Sequence, residues 1–495
     1  MKKIIIGLLL LSAYILPLEA QYFGRNKPNY EKFDFKVKAS PTFDIYSYLD
    51  NPKLLDGIAA RAEEWSRLHQ LIFKDTLKPE NPMVIYNNHA DFQQTNTIQG
   101  RASIGTGGVT EAFKNRVIFP LSLTNAQDNH VIGHELVHAF QYHLIINGDS
   151  TNLKNLSNLP LWMVEGLAEY LSIGAKDAHT SMWLRDAVAN DDFPTIKDLQ
   201  NPKYFPYRYG QAFWAFVAGW KGDDIIRPLF EETAKYGFEE ASKRVLGISV
   251  KELSKLWIAN VQQHYKPYID TEREKIPGRK LVGEKNAGSM NISPAISPNG
   301  KYIAFLSEKS IFSTDIFIAD ARNGKILGKI SSAVRDGHLD DYNFFESTGT
   351  WAPDSERFAF VGVSKGDNVL VIKDALKGKT LETIRFPELP AFGNPAWSPD
   401  GKTIILSGLK EGQTDLYAYH FKSGKLEQLT DSPAAEIQPA FSHDGSTLVF
   451  ASDALQMNGH TQTGDWHFNI AVMDMASGKI DYLPLFEGAD NLNPL

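Results

Sequence analysis

The 495-residue chain contains no cysteine. That excludes disulfides, anchoring through a lipidated thiol and every Cys-ligated metal site, so stability rests on packed cores alone. No segment approaches eighteen consecutive apolar residues, the length a membrane-spanning helix requires. A basic excess is missing as well. The formal net charge is -8, which argues against a nucleic-acid partner and identifies no substrate. Apolar residues make up 43% of the chain, enough for several cores, and the length fits roughly two to four domains.

What is present begins with a charged start, Lys2 and Lys3, followed by the apolar stretch Ile4 to Leu16 and then Leu18-Glu19-Ala20. This reads as a secretory signal over residues 1–20, cleaved after Ala20. The mature chain is therefore expected to be exported, periplasmic or extracellular, with no membrane span.

Beyond it the pattern changes once. Residues 21–269 mix short strands with long amphipathic helices, 270–288 (DTEREKIPGRKLVGEKNAG) carry charge, Gly and Pro without apolar periodicity, and 289–495 are short strands punctuated by turns. The expectation is an α+β domain, a linker and an all-β domain. In the first part, Leu54, Leu55, Ile58, Ala62, Trp65 and Leu68 recur at helical spacing, while Met83 to Tyr86 and Arg116 to Phe119 read as strands. Tyr207 to Trp220, Asp224 to Tyr236 and Val250 to Tyr268 read as helices, with Trp214 and Trp220 expected in the core.

The last part repeats. The turn segments ISPNGKYIAF from Ile296, APDSERFAFV from Ala352, WSPDGKTIIL from Trp397 and FSHDGSTLVF from Phe441 each precede an alternating strand. Further turns fall at Gly324, Gly378, Gly424 and Gly478. A period of roughly 44 to 55 residues fits four-stranded propeller blades, about four of them visible. Asp354, Asp400 and Asp444 are read as ordinary turn residues rather than calcium ligands. Asn493-Pro494-Leu495 matches Asn394-Pro395-Ala396 and Gln438-Pro439-Ala440, which lead into blade turns. The expectation is an incomplete propeller, cut short within a longer protein; the alternative is an open or four-bladed propeller with a partial closing strand.

The chemistry concentrates in HELVH, His134 to His138, on a helix that Asp128 or Asn129 is expected to cap. Imidazoles at i and i+4 share one helical face and can reach one metal, with Glu135 placed beside a metal-held water. His130, a turn earlier, is expected to be solvated or capping. Past Pro160, LWMVEGLAEYLS reads as a second helix that offers Glu165. Two histidines and one glutamate leave an open fourth position, the ligand set of a catalytic Zn²⁺. Glu169, one turn on, could accept the free N–H of a ligating histidine and fix its tautomer.

HELVH followed by WMVEGLAEY resembles the gluzincin metallopeptidases, in their peptidase MA-like branch, and the blade repeats are similar to the TolB-like β-propellers. The resemblance implies a gluzincin-like α+β peptidase domain followed by a propeller. It also implies that His134, His138 and Glu165 hold Zn²⁺, that Glu135 is the general base and that Glu169 supports a ligand. By the Tyr-x-x-Gly pattern of the aminopeptidase relatives, Tyr207 with Gly210 would steady the tetrahedral intermediate. No Gly-Ala-Met-Glu-Asn segment is present, so the implied activity is peptide-bond hydrolysis without a stated end preference. Gly108 to Phe119 could provide an edge strand for an extended peptide. The expected partners are a peptide or protein substrate and an envelope protein at the propeller. The alternative is an envelope scaffold that works through the propeller and keeps the peptidase fold as a platform.

Overall fold

The computed structural model describes the chain from Tyr30 onward, except residues 79, 99, 101, 104, 147–148, 270–277, 311–312, 333–335, 337–338, 340, 343–348, 455–465, 484–485, 487 and 495. The expected signal, residues 1–20, lies outside the described residues. Among the described residues no helix is long and apolar enough to cross a membrane.

The N-terminal part is an α/β layer. Strands β1 (Lys36–Ala39), β2 (Phe43–Ser47), β3 (Asn81–Tyr86), β4 (Val109–Glu111) and β5 (Arg116–Pro120) form one sheet in the order β1-β2-β3-β5-β4. Pairing is parallel for β2–β3 and β3–β5 and antiparallel for β4–β5, which leaves β4 at an edge. Helix α1 (Pro52–Phe73) packs on the sheet through Ile58, Ala62, Trp65 and Phe73, at the helical spacing the sequence displays.

The longer helices that follow are α2 (Asn125–Ile146), α3 (Leu161–Ile173), α4 (Ala178–Ala189), α5 (Pro206–Lys221), α6 (Ile226–Tyr236) and α7 (Val250–Ile269). Helix α2 starts earlier than expected. The Thr124 hydroxyl accepts from the Gln127 N–H, whereas Asp128 turns back to accept from Ser122 and Asn129 accepts from the Trp65 indole. Neither Asp128 nor Asn129 caps the helix, because Asp128 is bonded back to the segment before it and Asn129 to a distant helix. Trp214 is fully buried and donates to the Met163 carbonyl. Trp220, expected in the core, is 42% exposed beneath Lys221, since it ends the helix past the face that packs.

The C-terminal part is four antiparallel, propeller-like sheets. The first comprises β6 (Asn291–Ile296), β7 (Tyr302–Ser310), β8 (Ser313–Asp320) and β9 (Ile326–Ser332); the second comprises β10 (Asp341–Tyr342), β11 (Thr350–Trp351), β12 (Arg357–Ser364), β13 (Asp367–Asp374) and β14 (Thr380–Ile384). The third runs β15 (Ala391–Trp397), β16 (Thr403–Lys410), β17 (Gln413–His420) and β18 (Lys425–Gln428), and the fourth β19 (Glu436–Phe441), β20 (Thr447–Ser452), β21 (Asn469–Asp474) and β22 (Ile480–Leu483). No sheet closes on itself among the described residues.

The repeat shows in backbone detail. Ser293, Asn394, Gln438 and Asn493, each followed by proline, have φ of 50, 46, 57 and 53°, a left-handed conformation that few non-glycine residues adopt. Their amides form a ladder, with Gln438 N–H on Asn394 at 3.4 Å and Asn493 N–H on Gln438 at 2.7 Å. Asp354, Asp400 and Asp444 accept hydrogen bonds inside their own turns, the structural role read from the sequence.

Part of the expected linker is not free. Residues 270–277 lie outside the described residues, but Val282 and Ala287 pack on Phe305 and Phe317 of the first sheet. Asn286 donates to the carbonyls of Leu281 and Gly324, both at 2.8 Å. The two halves also meet directly. Ala391 and Leu409 of the third sheet join the core of the α/β layer, Leu123 packs on Ala435, Ile437, Ala451 and Phe468, and Glu411 accepts from the Asp50 N–H at 2.8 Å.

Candidate metal centre

Helical spacing puts His134 and His138 on one face of α2, and α3 lies across that face. The three facing atoms form a nearly equilateral triangle. His134 Nε2 and His138 Nε2 are 3.2 Å apart, and each is 3.3 Å from Glu165 Oε2. His138 Nδ1 lies 2.9 Å from Gln141 Oε1, so that nitrogen carries the proton and Nε2 presents a lone pair. Glu165 Oε2 is buried without a hydrogen-bond partner.

Electron-rich atoms converging on one point repel unless a cation or proton lies between them. A tetrahedral zinc with bonds of about 2.0 Å holds its ligands about 3.3 Å apart, the spacing these atoms already have. Burial lowers the pKa of His134, but Glu165 and Glu169 outweigh it and raise the imidazole to about 10. Burial opposes ionisation of Glu165, yet the two imidazoles hold its carboxyl well below the usual range. Both shifts have the same cause, a carboxylate and two imidazoles packed around one point, the arrangement that suits a dication.

Glu169 is 2% exposed and tied on several sides. Its Oε1 lies 3.0 Å from His134 Nδ1 and 3.0 Å from His130 Nε2, and its Oε2 accepts from Arg208 at 3.0 Å. The His134 contact is close but lacks hydrogen-bond alignment. His130, expected to be solvated or capping, is instead a partner of this carboxylate. His130, His134 and Glu169 could form a second metal-sized group, but the Arg208 guanidinium on the same carboxylate disfavours another cation there.

Glu135 is buried beside His134, and its charge acts on that imidazole. Its Oε2 accepts from the Thr110 hydroxyl at 2.7 Å, and its carbonyl accepts from the same hydroxyl at 3.0 Å. Gly108, just before edge strand β4, has no room for a side chain: a Cβ there would lie 2.7 Å from Glu135 Oε1. Tyr207 stands in the first turn of α5 with its ring stacked on His134, centroids 5.8 Å apart and planes 15° apart. Burial and the neighbouring Glu165 charge push its phenol above the ordinary range, so it stays a proton donor. All six sequence-selected residues thus gather around one point. His130, Gln141, Arg208, Thr110 and Gly108 were not selected. His130 and Gln141 carry a signal in their i−4 and i+3 spacing from the histidines, and Gly108 and Thr110 read as part of a strand and not as neighbours of Glu135.

The site depends on a close helix crossing. A Cβ on Gly166 would lie 2.2 Å from the Gly210 carbonyl carbon, and one on Gly210 would lie 1.9 Å from the Trp162 carbonyl oxygen. These glycines bring Glu165 and Tyr207 onto one surface. Gly210→Ala is expected to destabilise the chain by about 3 kcal/mol, since backbone cannot yield as side chains do. Gly219, on the same helix with nothing within 4 Å, is the control: its alanine variant should be neutral or gain about 0.5 kcal/mol. Urea unfolding followed by tryptophan fluorescence separates the two.

An α/β layer bearing a buried His-His-Glu triad, followed by propeller-like sheets, defines the class. Comparison with known proteins bears on the second half. Residues 346–494 match the TolB beta propeller domain family, PD40, so the C-terminal part carries TolB-like propeller repeats. The chain is 27% identical over 189 residues to the protein TolB homolog of Chlorobium chlorochromatii, covering 36% of this chain and 41% of that protein. It is 22% identical over 214 residues to the uncharacterized peptidase YuxL of Bacillus subtilis, covering 35% of this chain and 31% of that protein. The chain thus spans less than half the length of these relatives. Among solved structures, TolB from Acinetobacter baumannii aligns with a TM-score of 0.31 at 20% identity, covering 39% of this chain and 43% of that one.

Proposed function

We propose that this chain is an exported zinc-dependent peptidase of gluzincin type. In this reading residues 21–269 carry the catalytic centre, 270–288 connect, and the TolB-like propeller of residues 289–495 binds or filters polypeptide at the cell envelope. The observation that carries it is the convergence of His134 Nε2, His138 Nε2 and Glu165 Oε2 on one point, with a carboxylate outside the triad alongside. A structural zinc needs no such neighbour; hydrolysis does.

His134, His138 and Glu165 would hold Zn²⁺, which supplies Lewis acidity and a water acidified to a pKa of about 7. Glu135, oriented by Thr110, takes a proton from the attacking water and delivers it to the leaving amine. Tyr207, kept protonated, donates to the oxygen on which charge develops. Glu169, fixed by His130 and Arg208, holds His134 in place. Strand β4, last in the sheet order, offers its outer edge to an extended substrate.

The test is digestion of a peptide library by the purified chain. Cleavage should stop on chelation and return with stoichiometric zinc. A second reading, an envelope scaffold working through the propeller, is favoured by the family match, which falls entirely within residues 346–494. It predicts capture of a partner protein with no cleavage at any zinc concentration.

A further inference from the structure

A cavity of about 400 Å³ lies between the α/β layer and the propeller. Leu121, Leu123 and Val131 line it from one side, and Val363, Phe392 and Leu409 from the other. Its volume falls within the range of ligand-binding pockets. No Asp, Glu, Lys or Arg contributes to its wall among the described residues, so a charged group entering it would lose water without gaining a counter-ion.

The cavity neighbours the candidate metal centre along two stretches of chain. Gly107 and Val131 belong to its wall, and a Cβ on Gly107 would lie 3.4 Å from Val131 Cγ2. The next residue, Gly108, touches Glu135, which is one helical turn, about 6 Å, beyond Val131. The wall therefore ends where the proposed general base begins, along the edge that leads into β4. An extended peptide advances about 3.4 Å per residue, so a chain paired with β4 and passing Glu135 places a side chain one or two residues away over this opening.

We propose that the cavity is a specificity pocket that takes an uncharged apolar side chain of a polypeptide, and that the propeller supplies half of it. The inference rests on the peptidase reading and deepens it. Val363, Phe392 and Leu409 then select substrate, and the propeller is part of the cleft rather than an appended module. The occupant is a side chain of an extended polypeptide because the opening adjoins edge strand β4, while a wall whose titratable member, His89, is engaged by the Ser103 carbonyl at 2.8 Å offers acidic and basic side chains no full counter-charge.

The experiment uses the full chain with Glu135→Gln, loaded with zinc, so that peptides are held uncut. Fluorescein-labelled decapeptides of alanine and serine, each carrying one leucine or one aspartate at successive positions, are titrated by anisotropy. At one position leucine should bind about tenfold more tightly than aspartate, the gain expected from burying one apolar side chain. Gln127→Trp, at an exposed position on the rim, should abolish that difference by filling the cavity. Leu409→Ala should shift the preference toward tryptophan by enlarging the propeller wall, with zinc content and melting temperature verifying its fold; Gln127→Trp decides if Leu409→Ala unfolds. Absence of a leucine preference, or its survival in Gln127→Trp, overturns the proposal. Binding is read apart from turnover. A pocket-dependent preference in a chain whose parent cuts no peptide would therefore uphold the pocket and sink the peptidase reading.

Discussion

Replacing Glu135 with glutamine is expected to lower kcat/KM for peptide hydrolysis by about 10² to 10⁴-fold, the range assigned to a positioned general acid or base, with zinc content unchanged. Glutamine keeps the length and the acceptor oxygen that Thr110 bonds at 2.7 Å, so local structure has no reason to move. What it loses is basicity. Glu135 is not one of the three converging ligands, and zinc affinity should therefore follow the wild type. A variant that kept both zinc and full turnover would remove Glu135 from the mechanism. Loss of zinc together with activity would instead make it a structural support. Steady-state kinetics with metal analysis on the same preparation distinguishes the three outcomes.

Glu165→Ala carries the second large effect, on metal affinity itself. It removes the only carboxylate of the triad and leaves two neutral imidazoles, 3.2 Å apart, to hold a dication in a buried site. Zinc affinity should fall by well over about 100-fold, beyond the 10–100-fold typical of groups that only orient ligands. Glu169→Gln should fall inside that smaller range, because Glu169 contacts His134 and is not one of the three converging ligands. The expected order of zinc affinity is wild type and Glu135→Gln together, then Glu169→Gln, then Glu165→Ala. Competition with a chromophoric chelator measures it. If Glu169→Gln lost zinc while Glu165→Ala kept it, the ion would belong between His130, His134 and Glu169 instead.

The parts of this site that are local in sequence were legible there. The i, i+4 spacing of His134 and His138 is a property of any helix, and Glu165 and Glu169 are again one turn apart on a helix of their own. The supports were not, because they depend on contacts between distant segments. Thr110 reaches Glu135 across 25 residues and Arg208 reaches Glu169 across 39, and neither has a spacing that announces it. His130 was misjudged for the same reason: its partner is on another helix. The blade turns were readable because each repeats its own Asp, Asn or Gly chemistry. The pairing of propeller and α/β layer was invisible, since Leu409 and Ala391 read as ordinary strand residues until their sheet docks. Trp220 shows the converse, an apolar residue in an apolar helix that ends in solvent.

The central claim is that His134, His138 and Glu165 hold a catalytic zinc with one position open. X-ray absorption at the zinc edge of the stoichiometrically loaded chain tests it most directly. The account predicts one zinc per chain, bound by nitrogen and oxygen at about 2.0 Å, with the multiple scattering of two imidazoles and one exchangeable oxygen displaced by a small anion. No stoichiometric zinc, or a shell closed by four protein ligands, would contradict it.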